Sequence, residues 1–233
     1  PREGSRAVCA SRLRMRGYIM NQKERMLAGL PYKAWLDGLS EERLETRKKI
    51  FKYNGLTPEQ SEEQDRLIRE ILGKCGESVY IEQPFRCDYG SNIEVGENFY
   101  ANYNLTVLDV ARVRIGKNVM FGPNVSIYTA GHPIHPDSRN SGYEYGKEVT
   151  IGDNVWLGGN VVVNPNVHIG DNVVVGTGSV VTRDLPDNVI AVGNPCRVLR
   201  EITEEDRKFY FRDQEFDVDD YNDGVQDIRN LKG

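Results

Sequence analysis

The chain is poor in the residues that build metal centres and covalent staples. Its 233 residues hold three histidines (His132, His135 and His168) and four cysteines (Cys9, Cys75, Cys87 and Cys196). The cysteines form no CxxC pair and follow no zinc-ligand spacing. They read as reduced thiols of a cytoplasmic protein, not as a disulfide framework. His132 and His135 flank Pro133, an awkward spacing for two ligands of one ion, so no metal is expected. No apolar run approaches the length of a membrane-spanning helix. The net charge of −5 argues against nucleic acid or an anionic membrane as the main partner. With 39% hydrophobic and 28% charged residues, what remains is a globular chain that can form one domain with appendages.

What is present in abundance is a period of six. Ile151, Leu157, Val163, Ile169, Val175 and Val181 stand six residues apart. Val fills the fifth place of the first four hexads, and Asn the fourth place of the same four (Asn154, Asn160, Asn166, Asn172). No α-helix has this period, and a plain strand has no reason to place turn-formers every six residues. The pattern describes a chain that runs straight, turns a corner and repeats, which is a parallel β-helix of hexapeptides. Three hexads make one triangular coil, with apolar residues in files inside and Gly and Asn at corners where positive φ costs them little. Ile115, Phe121 and Ile127 continue the repeat backwards. Val95, Ala101 and Val107 form an earlier set two residues out of register, so an irregular corner is expected near 109–114.

Four segments follow. Residues 1–19 hold five Arg and one acid and look foreign to the rest, a non-native or disordered leader. Residues 20–76 are helical. A short helix is predicted over 23–28. A second starts at Ser40 with Leu44, Ile50 and Phe51 as its apolar side. A third starts from the capping box Thr57-Pro58-Glu59-Gln60, turns Leu67, Ile68, Ile71 and Leu72 inward, and is closed by Gly73. These helices can cover the open end of the coil. Residues 77–195 form the β-helix, interrupted by a loop at 130–148. Residues 196–233 are an extension, basic at first, with a short helix or strand over 201–212 and an acidic, solvated tail.

The loop holds His132 and His135. Loops of this length inside a compact repeat usually carry function. Histidine has the pKa of a general base near neutrality. From the residues alone, His132 is either such a base or a turn-capping side chain before Pro133. His135 and His168 read as local or surface residues. A non-catalytic solenoid that binds a partner through the loop stays open at this point.

Several motifs resemble one family. GLPYKAW near the start, FRCDYGSNIEVG at 85–96, NFYANYN at 98–104, GPNVSIYTAGHP at 122–133, RNSGYEYGKEVTIGDNVWLGG at 139–159 and GNPCRVLREI at 193–202 are similar to the maltose- and galactoside-type sugar O-acetyltransferases, within the hexapeptide-repeat acyltransferases. The resemblance runs from about residue 23 to 214, and FRCDYG and RNSG look like the maltose subgroup. It implies a left-handed coil, against the usual hand of parallel crossovers. It implies a homotrimer with active sites between subunits, acetyl-CoA as co-substrate, no metal, and a sugar acceptor such as maltose or glucose. A galactoside, an amino sugar or an antibiotic is the alternative acceptor.

Carried over by position, His132 is the catalytic base and the Gly159 N–H faces the acyl group. Trp156 lines the donor cleft, and Asn102 lies near the reacting centre, against donor and acceptor alike. Asp88, Asp109, Tyr100 and Glu144 fall with the acceptor contacts. Thr177 and Thr182 match positions along the pantetheine arm. Arg183, Arg197 and Arg200 match a phosphate-binding cluster. Galactoside members present an acid where this chain has Ala34, and Asp37 is the nearest substitute.

Overall fold

The computed structural model describes residues 19–218 together with Gly224 and Asp227. The expected leader over 1–19 therefore lies outside the described residues except for Ile19, and most of the acidic tail lies outside them too. Among the described residues no helix is long and apolar enough to cross a membrane.

The strands form three parallel sheets that wrap one apolar interior. Face 1 stacks Lys74–Cys75, Ile93–Val95, Val113–Ile115, Val149–Ile151 and His168–Ile169. Face 2 stacks Val79–Ile81, Phe99–Ala101, Met120–Phe121, Trp156–Leu157, Val174–Val175 and Val189–Val192. Face 3 stacks Arg86–Cys87, Thr106–Leu108, Ser126–Tyr128, Val162–Val163 and Val180–Val181. The six hexad leaders are all buried, and so are Val155, Val161, Val167 and Val173. Each regular hexad from 151 to 173 thus buries two apolar residues, and this apolar burial is the main force holding the interior.

The first corner, from face 1 to face 2, repeats without change. Asn98, Asn118, Asn154, Asn172 and Asn188 all take φ between 55° and 59° there. Their side-chain amides form a ladder up the edge, with Nδ2-to-Oδ1 distances of 3.1, 3.0, 2.8 and 2.8 Å. Each amide bonds its copy in the next coil, so the stack is self-templating. The glycines of this corner leave no room for a side chain: a Cβ on Gly96 would lie 2.6 Å from the Gly116 backbone, and one on Gly152 would lie 2.2 Å from Asp171 Oδ1.

The third corner, from face 3 to face 1, absorbs every irregularity. From one inward residue to the next the step is eight residues at Cys87–Val95 and again at 107–115. It is 24 at 127–151, six at 163–169 and four at 181–185. The slip expected near 109–114 is present, and it recurs one coil earlier at 88–92.

Helices α1 (Gln22–Leu27), α2 (Leu39–Asn54) and α3 (Ser61–Ile71) precede the coil. α2 and α3 close its first-coil end, as expected. Ile50, Tyr53, Leu67, Ile68, Ile71 and Leu72 join the coil interior. Helix side chains satisfy first-coil backbone groups that would otherwise lack partners. Asn54 exchanges two 2.9 Å bonds with the backbone of Phe85, and Arg69 donates to the carbonyls of Gly76 and Glu77 at 2.8 and 2.6 Å.

Three local expectations need correction. The buried side of α2 is Leu39, Ile50 and Tyr53, whereas Leu44 and Phe51 point to solvent. The two ends of α2 pack on different things: Ile50 and Tyr53 enter the coil interior, whereas Leu39 packs with Met26, Tyr32, Tyr89 and Val110. The Thr57–Gln60 box is a turn before α3, in which the Gln60 side chain accepts from the Thr57 N–H at 2.9 Å. Gly73 closes α3 by close approach, since a Cβ there would meet Ser91 O at 2.1 Å.

At the far end the strand Arg197–Glu201 turns back and pairs antiparallel with Val189–Val192. A short 3-10 turn at Glu204–Lys208 and a hairpin of Phe209–Phe211 with Gln214–Glu215 follow, so 201–212 holds both helical and extended structure.

Candidate active site

The long excursion at the third corner leaves face 3 after Ser126–Tyr128. It opens as an antiparallel pair, Ala130–Gly131 against Tyr145–Gly146, and carries one short helix, α4 (Pro136–Asn140). His132 sits immediately after the first of these strands. Its side chain is 57% exposed, and its Nε2 lies 3.9 Å from Glu144 Oε2. That gap is too long for a hydrogen bond and leaves room for a bridging hydroxyl or water.

Glu144 is held from behind. Its side chain is only 20% exposed. The Tyr32 hydroxyl donates to Oε1 at 2.5 Å, and the two residues exchange backbone bonds of 3.0 and 3.1 Å. Tyr32 is fully buried with Met26, Leu39, Tyr89 and Val110. Burial, and then the Glu144 carboxylate, push its phenol far above the ordinary value, so it stays a donor at neutral pH. The segment between α1 and α2 is thereby a brace for the loop. Ala34 packs into this cluster, and Asp37 is spent on the Gln22 N–H at 2.8 Å, so neither supplies a carboxylate to the site.

One and two coils below lie Asp109 and Asp88. Asp109 is fully buried; its Oδ1 accepts from the N–H groups of Asp88 and Tyr89, both at 2.9 Å, and Oδ2 has no partner among the described residues. Burial, partly offset by those two N–H groups, raises its carboxyl to about 6. Asp109 therefore supports the corner, with its side chain closed to solvent. Asp88 is half-buried, and burial raises its carboxyl while Arg43 and Arg47 pull it down.

The second corner, from face 2 to face 3, stacks backbone on backbone. Asn102, Gly122, Gly159 and Thr177 stand in successive coils there, with Asn102 N bonded to Phe121 O at 2.9 Å. A Cβ on Gly122 would lie 2.5 Å from Gly159 N, and one on Gly158 would lie 2.7 Å from Thr177 N. The Gly159 N–H donates to no described residue. Asn102 Oδ1 accepts from the next N–H, that of Tyr103, at 2.7 Å. Trp156 stands on the outer side of face 2 between Met120 and Val174, 53% exposed.

Residues 25–76 match the maltose acetyltransferase hexapeptide capping motif, and residues 148–183 match six repeats of the bacterial transferase hexapeptide. Galactoside O-acetyltransferase of Escherichia coli is 45% identical over 194 residues, which cover 83% of this chain and 96% of that protein. The crystal structure of a maltose O-acetyltransferase from Clostridium difficile 630 superposes with a TM-score of 0.79 at 51% identity, covering 79% of this chain and 99% of that one. A galactoside acetyltransferase in complex with coenzyme A superposes at 0.83 with 44% identity, covering 86% and 100%. The chain belongs to this family. It is a hexapeptide-repeat acetyltransferase, and its coil is the left-handed parallel β-helix of that fold class.

The acetyltransferase keeps its candidate residues in two groups on one copy. His132, Glu144, Asp88 and Asp109 belong to the third corner, and Thr182 and Arg183 lie at the same corner further up, exposed. Asn102, Gly159 and Thr177 belong to the second corner. Arg197 follows it on the returning strand, donating to Cys196 O at 2.7 Å. Tyr100 and Trp156 are on face 2. Arg200 is committed elsewhere: its guanidinium grips Asp206 through bonds of 2.8 and 2.7 Å. His135 caps α4, accepting from the Asp137 N–H at 3.3 Å, and His168 is exposed on face 1 beside Thr150. Among the described residues no cluster of His, Cys, Asp or Glu could hold a metal ion.

Sequence reasoning missed Tyr32 and Arg43. Arg43 donates to the Tyr89 hydroxyl at 2.6 Å and to Ala34 O at 2.8 Å, tying α2 to the brace. Tyr32 lies in the GLPYKAW motif, but nothing local shows its role, because its partner Glu144 is 112 residues away in the chain.

Proposed function

We propose that this acetyltransferase moves an acetyl group from acetyl-CoA to a sugar hydroxyl, maltose or glucose being the type of acceptor, with His132 as general base. The observation that carries the reading is the pairing of an exposed imidazole with a braced carboxylate across a 3.9 Å gap. The acceptor hydroxyl gives its proton to His132 Nε2 as its oxygen attacks the thioester carbonyl. Glu144 takes a hydrogen bond from a second hydroxyl and fixes the sugar. The oxyanion of the tetrahedral intermediate is met by the unspent N–H of Gly159. When the carbon–sulfur bond breaks, the departing thiolate of CoA recovers the proton from His132.

The two groups lie on different corners of one copy, separated by a face of up to about 20 Å. The reaction therefore needs the second corner of a neighbouring copy beside the third corner of the first, and the working form is a homotrimer with its sites between subunits. The outer side of face 2 supports this, since Tyr80, Tyr100, Met120, Trp156, Val174 and Ile190 form a column rich in apolar surface. The donor extends along the second corner past Thr177 toward Arg197, with Thr182 and Arg183 coming from the neighbour. Arg200 serves once Asp206 releases it.

His132→Ala tests the assignment. Acetyl transfer to maltose or glucose, read as free thiol release, should fall about 10²- to 10⁴-fold while CoA still binds. Retained turnover would overturn the role of His132.

A further inference from the structure

A groove of about 650 Å³ lies between α2 and the first two coils of face 3, lined by Arg47, Ile50, Phe51, Asp88, Thr106 and Leu108 among others. None of the proposed catalytic steps uses it, and Asp88 lies at its edge. Its chemistry is mixed in a particular way. Phe51 is 84% exposed, an aromatic ring turned away from the coil interior. Arg47, Arg86 and the Asp88 carboxylate make no side-chain hydrogen bond or salt bridge with a described residue. An aromatic face with unspent planar donors and a carboxylate is the chemistry that receives a pyranose: C–H groups on the ring, hydroxyls on the polar groups.

The groove also points at the candidate centre. On face 3, Cys87, Val107 and Ile127 stack in successive coils, about 4.8 Å apart. Asp88 and Leu108 follow the first two of these. Thr129, just after the third, donates to Leu108 O through its Oγ1 at 2.6 Å and its N–H at 3.0 Å, and His132 is three residues further on. Groove and base therefore share one corner, a coil or two apart.

Resting on the reading under Proposed function, we propose that this groove is a subsite for the second ring of a disaccharide acceptor, with Phe51 as its platform and Arg47 as its hydrogen-bond donor. The first ring then presents its hydroxyl to His132 and Glu144.

The test measures initial rates with glucose and with maltose for the wild type, Phe51→Ala and Arg47→Ala. The expected result is a KM for maltose raised about three- to tenfold in each variant, with kcat and the glucose KM within about twofold of wild type. Both side chains sit on the solvent side of α2, so thermal unfolding should be unchanged. Equal effects on both sugars, or none on maltose, overturn the subsite. If the wild type acetylates neither sugar, the broader reading fails instead. Calorimetric binding of maltose, weakened by Phe51→Ala or indifferent to it, then decides the groove on its own.

Discussion

At the first corner every coil turns alike. Five asparagines take the same left-handed conformation and pass one amide hydrogen bond up the edge. At the third corner few crossings match: eight residues, eight, 24, six and four. Both corners enclose the same apolar files, so the interior does not require this difference. Freedom in one corner is possible because the other two hold register. A one-residue slip at either regular corner would turn a whole file outward, whereas added length at the third leaves the faces intact. The candidate base and its braced carboxylate stand where length is free, and stability gathers where it is fixed.

That division predicts that activity and stability can be damaged separately. The largest effect is on activity. His132→Ala should cost about 10²- to 10⁴-fold in turnover with no loss of thermal stability, because the side chain is mostly exposed. Next, Leu157→Ala inside a fully buried file should cost about 2–5 kcal/mol in denaturant unfolding and lower activity only through the folded fraction.

Asp109 tests the third corner as structure. Its folded carboxyl, near 6, lies above its ordinary value of 3.8. Between those pH values the folded state holds the proton more tightly than the unfolded state. The stabilisation is complete below about 4 and is lost as pH rises through 6. Asp109→Asn removes this dependence. The unfolding free energy of the variant should gain on wild type between pH 4 and 7, by at most ~3 kcal/mol. A constant difference across that range would sink the assignment. The smallest effect belongs to the ladder. Asn154→Ala must adopt φ 58° and interrupt two amide bonds, costing about 1–2 kcal/mol. Asn154→Gly restores the backbone freedom, and what it still loses measures the ladder alone.

The fold was legible where the hexads are clean. Residues 151–181 specify three faces, their spacing and their inward files, and the break at 130 marks the loop. Earlier coils were harder to read, because Cys87 and Ala101 replace the regular leaders and the eight-residue steps disturb the period. His132 stood out as a histidine at the stop. What holds it did not, since the Tyr32–Glu144 bond joins distant segments and has no periodic signature. The face of α2 was misread because nothing local distinguishes Phe51, which faces solvent, from Tyr53, which is buried. Asp109 and Arg200 show the same limit: their partners in the fold, the Asp88 and Tyr89 N–H groups and the Asp206 carboxylate, leave no mark in the sequence pattern.

The returning strand Arg197–Glu201 lies antiparallel on the last parallel strand of face 2. A solenoid of identical coils has no intrinsic length, and nothing in a hexad says how many should follow. This reversal acts as the terminator, and the helices at the other end act as the initiator. Length is therefore written in the ends and not in the repeat. A duplicated 18-residue unit such as 151–168 can enter the middle of the chain without altering either end, lengthening the column by one storey while the loop at 130–148 stays where it is.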